Sequence, residues 1–121
     1  MVQHDQLLEY IVRNFEELFH EKPISIEKNI QHFSTLDDTL VVCETDIEGT
    51  TDSSYYIIEV KDPDFTLEDY VRADKKAEKQ LGRLLRHNGY EDKNLFMLYA
   101  VGKAEPEEFM VYYKLYRRRL N

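Results

Sequence analysis

Residues 36–61 read LDDTLVVCETDIEGTTDSSYYIIEVK, and this stretch decides the fold. Two runs within it, 39–45 and 55–61, are rich in β-branched and aromatic residues and are typical of strands. The segment DIEGTTDS between them is made of residues that favour turns. The stretch therefore predicts an antiparallel hairpin whose turn is centred between Glu48 and Gly49.

Helical and strand patterns flank this hairpin on both sides. Apolar residues recur at spacings of three and four over 3–20, which predicts an amphipathic first helix. A second helix is predicted to begin after Thr66 as N-cap and to run to about Asn88. Three further strands are predicted, at 24–33, 95–101 and 108–116. The predicted order is αβββαββ, an α/β fold with a mixed sheet flanked by helices.

Length and composition predict one domain, residues 1–121. No apolar run approaches the roughly 20 residues that a membrane span needs, and we expect neither a signal peptide nor a membrane partner. Cys43 is the single cysteine, which excludes an internal disulfide and a cysteine zinc site. These features predict a soluble, cytoplasmic protein.

The charge balance narrows the range of partners. Twenty-four acidic residues against sixteen Lys and Arg give a formal net charge of −8. Such a surface argues against broad, sequence-blind binding to nucleic acid, because that binding depends on neutralising phosphates. It leaves room for a small basic site, or for an acidic site that holds a divalent cation.

The end of the second hairpin strand carries the residues of chemical interest. Period-two geometry puts Glu59 and Lys61 on one face, with Val60 behind them. Alone, this tripeptide also fits an ordinary strand end that reaches solvent. A symmetric hairpin, however, places Asp38 opposite Glu59, and a register shift of one residue would substitute Asp37.

Two opposed carboxylates repel each other unless a cation lies between them, and Mg²⁺ prefers such oxygen ligands. Lys61 on the same face could position or deprotonate a water molecule, or stabilise developing charge. The predicted hairpin therefore indicates a metal-dependent hydrolytic site.

The pattern LDDTLVV, a turn, then YYIIEVK resembles the core of the PD-(D/E)XK nucleases, which include restriction endonucleases, Holliday-junction resolvases and RecB-type nucleases. The core order of that family, αβββαβ, agrees with the predicted order, and the resemblance covers roughly 5–101. It implies a restriction-endonuclease-like core. It also implies that Asp38, Glu59 and Lys61 occupy the acidic, acidic and lysine positions of the family motif.

The resemblance implies further site residues. A first-helix glutamate often joins the family's site, and Glu9 matches best, with Glu16 second. Gln80 matches a polar residue on the helix after the motif. The implied cofactor is Mg²⁺ or Mn²⁺, held by Asp38, Glu59 and the carbonyl of Val60.

The expected function is that of a metal-dependent nuclease, an endo- or exodeoxyribonuclease that hydrolyses phosphodiester bonds, with DNA favoured over RNA. We expect a homo-oligomer, a dimer through the tyrosine-rich last strand. Two alternatives stay open: a catalytically inactive assembly or regulatory subunit on the same scaffold, acting through protein–protein interaction, and a plain α/β protein-binding module.

Several other polar or aromatic residues have less specific interpretations. His4 and Asp74 are assigned structural roles on their helices. Asp46, Glu48 and Asp52 could bind calcium, but a solvated turn is the preferred interpretation. The nine tyrosines could stack on bases, although at strand spacing they are more typical of a core or a subunit interface.

Overall fold

A computed structural model of the chain describes residues 4–33, 41–88, 92–103, 105 and 108–117. They form a five-stranded mixed sheet flanked by helices. In chain order the elements are α1 (His4–Arg13), α2 (Phe15–Phe19), β1 (Ser25–Phe33), β2 (Val41–Thr50), β3 (Ser54–Lys61), α3 (Leu67–Asn88), β4 (Asn94–Val101) and β5 (Met110–Arg117). Over the part of the chain described, no helix is both long and apolar enough to cross a membrane.

The strands lie in the sheet in chain order, β1-β2-β3-β4-β5. All neighbours are antiparallel except β3 and β4, which are parallel and joined by the crossover helix α3. The predicted element order is confirmed, with the first helix divided at Asn14. Because β3 and β4 run in the same direction, their carboxyl ends lie side by side at one end of the strands, where Lys61 pairs with Val101.

Helices cover both faces of the sheet. The first face packs against α1 and α2, and the second packs against α3. The first core contains Leu7, Leu8, Ile11, Phe15, Ile47, Tyr56, Ile58, Val60, Leu98 and Ala100. The second contains Tyr55, Ile57, Ala77, Leu95, Met97 and Tyr99. By strand alternation, Glu59 and Lys61 lie on the α3 face of β3.

The predicted hairpin exists, but its predicted turn and register are wrong. Strand β2 continues to Thr50, which pairs with Tyr55, so the turn comprises residues 51–53 only. Ile47 pairs with Ile58, and the next position in this register sets Asp46, rather than Asp38, beside Glu59. Asp38 itself lies outside the described residues.

The turn was predicted at Gly49, but this glycine lies within a strand and is needed there for packing. It lies inside β2, paired with Ile26 on one side and Tyr56 on the other. A β-carbon built at Gly49 would lie 2.5 Å from Cε2 of Phe15. Glycine is required here because the ring of Phe15 approaches the strand backbone closely.

Candidate active site

Asp46 lies where β2 separates from β3. The pairing between these strands begins at Ile47 and Ile58, and Asp46 is the next residue outward. Its Oδ2 atom accepts a hydrogen bond from the amide of Val60 at 2.8 Å. A side-chain oxygen thus satisfies a β3 backbone donor. This contact fixes the Asp46 carboxylate, whose side chain is 23% exposed, against the end of β3.

The strand on the other side of Asp46 is also irregular. In β1, Lys28 pairs with Ile47 and Ile30 pairs with Thr45, which leaves Asn29 facing Asp46. Asn29 has a φ of 52°, in the left-handed region that asparagine tolerates better than most residues. The backbone of β1 is therefore distorted at Asn29, opposite Asp46, where the hydrogen-bonded pairing of β2 with β3 ends.

Glu59 is half-buried beside Asp46. Burial raises the pKa of Glu59 to about 8, with further contributions from the Asp46 charge and a hydrogen bond between the two carboxyl groups. The Lys61 ammonium opposes this rise without cancelling it. At neutral pH, Glu59 therefore keeps its proton and donates it in a hydrogen bond to Asp46.

His4 approaches the same aspartate from α1. Its Nε2 atom lies 3.4 Å from Oδ2 of Asp46, and its Nδ1 atom lies 3.5 Å from Oδ1 of Asp5. The side chain is 40% exposed, so it sits at the rim of the site. Sequence reasoning assigned His4 a structural role on its helix, whereas the structure brings it to the carboxylate pair.

Lys61 is the last residue of β3, two positions beyond Glu59. Its carbonyl accepts a hydrogen bond from the amide of Gly102 at 3.1 Å, which extends the pairing of β3 with the chain after β4. Its Nζ atom lies 5.7 Å from the ring centre of Phe65. The lysine therefore lies at the same end of β3 as the two carboxyl groups, next to an aromatic ring.

Aromatic side chains line the sheet beside Glu59. Tyr99, the partner of Glu59 on β4, is buried. Its pKa is raised by burial and, next in size, by the charge of Glu59. The Phe65 ring stacks on Tyr99 with centroids 5.7 Å apart, and Tyr70 meets it edge-on at 5.6 Å. Glu59 is thus flanked by an aromatic, weakly hydrated surface.

The other predicted site residues contribute less. Glu9 forms an ion pair with Lys28 on β1, at 2.5 Å, and is 44% exposed. Glu16 lies exposed on α2. Gln80 lies on α3, and its side chain is not among those described. Val60 contacts Asp46 through its amide, whereas the prediction invoked its carbonyl.

Two further acids have structural partners. Glu48 was assigned to a solvated turn, but it is buried in β2 and accepts hydrogen bonds from the hydroxyls of Tyr55 and Thr45. Asp74 on α3 accepts a hydrogen bond from the hydroxyl of Tyr116 and lies 3.4 Å from the Lys114 ammonium. These contacts join neighbouring elements and agree with the structural role predicted for Asp74.

Asp46 is the candidate site residue that the sequence analysis placed in a solvated turn instead of opposite Glu59. A signal for it was present, because a turn placed at residues 51–53 sets Asp46 opposite Glu59. The prediction centred the turn at Gly49 and therefore placed Asp46 within the turn. Within the described residues, no three His, Cys, Asp or Glu side chains form a group able to hold a metal ion.

Comparisons of the chain with protein-family models, with curated proteins and with solved structures found no match.

Proposed function

We propose that this chain is a metal-dependent nuclease that hydrolyses phosphodiester bonds in DNA, with a restriction-endonuclease-like core. The observation that carries the proposal is the convergence of Asp46, Glu59 and Lys61 at the carboxyl end of β3. In this proposal Asp46 replaces Asp38 as the acidic partner of Glu59. The element order and the parallel β3–β4 pair support the same family, because its core order is αβββαβ.

The donor chemistry of the site fits a hard divalent cation. Asp46 and Glu59 present carboxyl groups close enough to share a proton, and a cation would replace that proton. Mg²⁺ is commonly bound through one or two carboxylates together with water and substrate phosphate, so a third protein carboxylate is not required. A bound Mg²⁺ or Mn²⁺ would supply Lewis acidity at the phosphate and a more acidic water molecule.

The side chains of the site have separate tasks in hydrolysis. The oxygen of water forms a bond to phosphorus and loses a proton to solvent, while the bond to the leaving sugar oxygen breaks and the leaving oxygen takes a proton from solvent. Lys61 holds the attacking water or a non-bridging phosphate oxygen, where its positive charge stabilises the negative charge that develops. His4 and the Val60 amide orient Asp46, and the Glu59 carboxyl gives up its proton when the site is loaded.

Cleavage of plasmid and of single-stranded oligonucleotides with Mg²⁺ or Mn²⁺ tests the proposal. We expect Asp46→Asn, Glu59→Gln and Lys61→Ala each to abolish cleavage, because each removes a charge that the metal-loaded site would carry. The matched control is Glu44→Gln, on the same strand as Asp46. Its carboxylate is exposed and accepts a hydrogen bond from Gln31, so cleavage should be unchanged.

Metal binding is measured separately by thermal denaturation. A ligand that binds only the native state at a hundredfold excess over Kd adds about 2.7 kcal/mol of stability. Millimolar Mn²⁺ should therefore raise the melting temperature of wild type and Lys61→Ala but not of Asp46→Asn. The proposal would be refuted if the wild-type protein cut no form of nucleic acid and its melting temperature did not change with Mn²⁺.

A catalytically inactive assembly subunit is the second candidate, and the sheet edge favours it. Strand β5 lies at the edge of the sheet and carries Tyr113, which is 66% exposed. Edge strands with exposed aromatic residues pair readily with other chains. This candidate is chosen if the wild-type protein neither cuts nucleic acid nor responds to Mn²⁺ while substitutions in β5 change the oligomeric state.

A further inference from the structure

The loop that follows β3 places an aromatic ring beside the site. The amide of Phe65 donates to the carbonyl of Asp62 at 3.0 Å, which closes a tight turn with Pro63 at its second position. The turn directs Phe65 back onto Tyr99, where the two rings stack with an interplanar angle of 19°. The half-buried ring also lies 5.7 Å from the Lys61 ammonium.

Two more tyrosines extend this surface. Tyr70 of α3 and Tyr112 of β5 stack on each other, with centroids 5.1 Å apart and planes at 20°. Phe65 meets Tyr112 at 6.1 Å. Phe65, Tyr70 and Tyr112, which we call the aromatic wall, are each half-buried, while Tyr99 beneath them is buried. The wall therefore has a packed base and a part that solvent reaches.

Lys61 and Lys114 act on the wall, but the exposed side chains of the adjoining loop and of the start of α3 add mainly negative charge. Asp62, Asp64 and Glu68 are exposed on the loop and on the first turn of α3. The whole chain carries a formal net charge of −8. A nucleic acid that reaches this site gains little from phosphate neutralisation, so another interaction has to supply the affinity.

We infer that the aromatic wall binds an unstacked nucleobase adjacent to the scissile phosphate beside Lys61, so that the substrate is single-stranded or has an unpaired end. The inference rests on the proposed nuclease function. Bases in a duplex are covered by their neighbours, whereas an unpaired base offers a face to an aromatic side chain. Stacking tolerates an acidic surface because it does not depend on backbone charge.

The test compares Phe65→Leu with wild type on three substrates. They are a single-stranded oligonucleotide, the same strand with an abasic residue beside the scissile phosphate, and its duplex. We expect wild type to cut the intact single strand at least tenfold faster than the duplex. Phe65→Leu should lower kcat/KM on the intact single strand by about 10- to 100-fold, which is the usual contribution of one stacked base. The abasic strand should be cut equally by both proteins.

Two further variants separate stacking from folding. Phe65→Tyr keeps an aromatic ring and should retain activity on the single strand. Phe109→Leu removes a half-buried ring from the opposite face of the sheet and should leave all three rates unchanged. If Phe65→Tyr loses as much activity as Phe65→Leu, the ring acts in packing and the inference is wrong.

Direct binding distinguishes failure of the inference from failure of the proposed function. Anisotropy of a labelled single strand is measured with wild type and Phe65→Leu at two salt concentrations. Binding that weakens at Phe65→Leu, with a small dependence on salt, supports the wall even if no strand is cut. Equal cutting of single strand and duplex, unaffected by Phe65→Leu, would overturn the wall and leave the nuclease proposal standing. So would the absence of single-strand binding by a wild-type protein that cuts duplex.

Discussion

The Glu59 carboxyl titrates far from its usual range, because burial and the neighbouring Asp46 charge both favour its protonated form. The folded state keeps a proton that the unfolded chain releases above about pH 4.5. Between that pH and about pH 8, the unfolded state therefore binds fewer protons, and the stability of the metal-free protein should fall as pH rises.

Glu59→Gln removes this titration, since the amide keeps the shape and never ionises. We expect the variant to melt several degrees above wild type at pH 8 and close to wild type at pH 5. Melting curves of both metal-free proteins at pH 5, 6.5 and 8 measure the difference. Parallel profiles for the two proteins would show that Glu59 is not the group responsible.

Gly49 makes a second prediction at the residue scale. Its substitution by alanine would force a methyl group against the Phe15 ring. Overpacking of this kind costs about 1–3 kcal/mol, and Gly49→Ala should unfold at correspondingly lower urea concentration. Adding Phe15→Leu should recover part of the loss, whereas full tolerance of Gly49→Ala would contradict the close approach.

Single residues also show where sequence reasoning stops. Glu59 and Lys61 were predicted correctly as strand neighbours, because strand alternation is a local property. Glycine is required at position 49 because of a contact with Phe15, a residue 34 positions away in the chain. No local sequence pattern can reveal such a contact. The same error displaced Asp46 into a turn, and the approach of His4 to Asp46 depends on how α1 lies across the sheet.

At the scale of elements, Glu21 fastens the turn between β2 and β3. It accepts hydrogen bonds from the hydroxyls of Thr51, Ser53 and Tyr56, at 2.9 Å from Thr51 and 2.8 Å from Ser53. Burial acts to raise the pKa of Glu21, but these hydrogen bonds outweigh it and lower the pKa below the usual 4.5. The contribution of the carboxylate is therefore present above that pH and is lost as acid protonates it.

Glu21→Gln tests this clamp. The amide presents one acceptor oxygen where the carboxylate presents two, so the variant should lose about 1–2 kcal/mol of unfolding free energy at pH 7. The loss should shrink in acid, once the pH falls far enough below 4.5 to protonate Glu21 in the folded wild type. Urea unfolding at both pH values measures it, with the exposed Glu17→Gln of α2 as control. A loss that does not depend on pH would exclude the charge of Glu21 as its origin.

Element order was more predictable than register. The strands β3 and β4 are nearly continuous apolar runs, and the helices show clear apolar stripes, so their type and order followed from sequence. Register depends on where a turn closes, and the turn at residues 51–53 is set by contacts with Glu21 and Lys93 rather than by a glycine. As a result, the predicted partner of Glu59, Asp38, lies eight residues before the partner in the structure, Asp46.

At the scale of the whole molecule, the predicted dimer needs a revised argument. It was expected because Tyr112 and Tyr116 seemed to leave a second aromatic face uncovered. In the structure both tyrosines pack on the core beneath α3. The exposed large hydrophobic side chains of β5 are instead Met110, at 38% exposure, and Tyr113, at 66%.

Light scattering tests the dimer. We expect twice the 14.5 kDa chain mass at micromolar concentration, with β5 strands paired edge to edge. Tyr113→Lys should return the protein to a monomer without lowering its melting temperature greatly, because the ring packs little within the chain. A wild-type monomer, or a dimer indifferent to Tyr113→Lys, would remove β5 from the interface.

The parallel alignment of β3 with β4 has a consequence for how the molecule folds. The meander β1–β2–β3 closes through short connections, and so does β4–β5, whereas the β3–β4 pair must wait for the 22-residue helix α3 to cross between them. Loop-closure entropy makes this long-range pairing the late step. Asp46 and Glu59 both belong to this meander, so above about pH 8, where Glu59 ionises, the two carboxylates should repel each other as the meander forms. Removing this repulsion with Glu59→Gln should accelerate refolding at alkaline pH, whereas changes at the β4 junction should act mainly on the unfolding limb of the chevron.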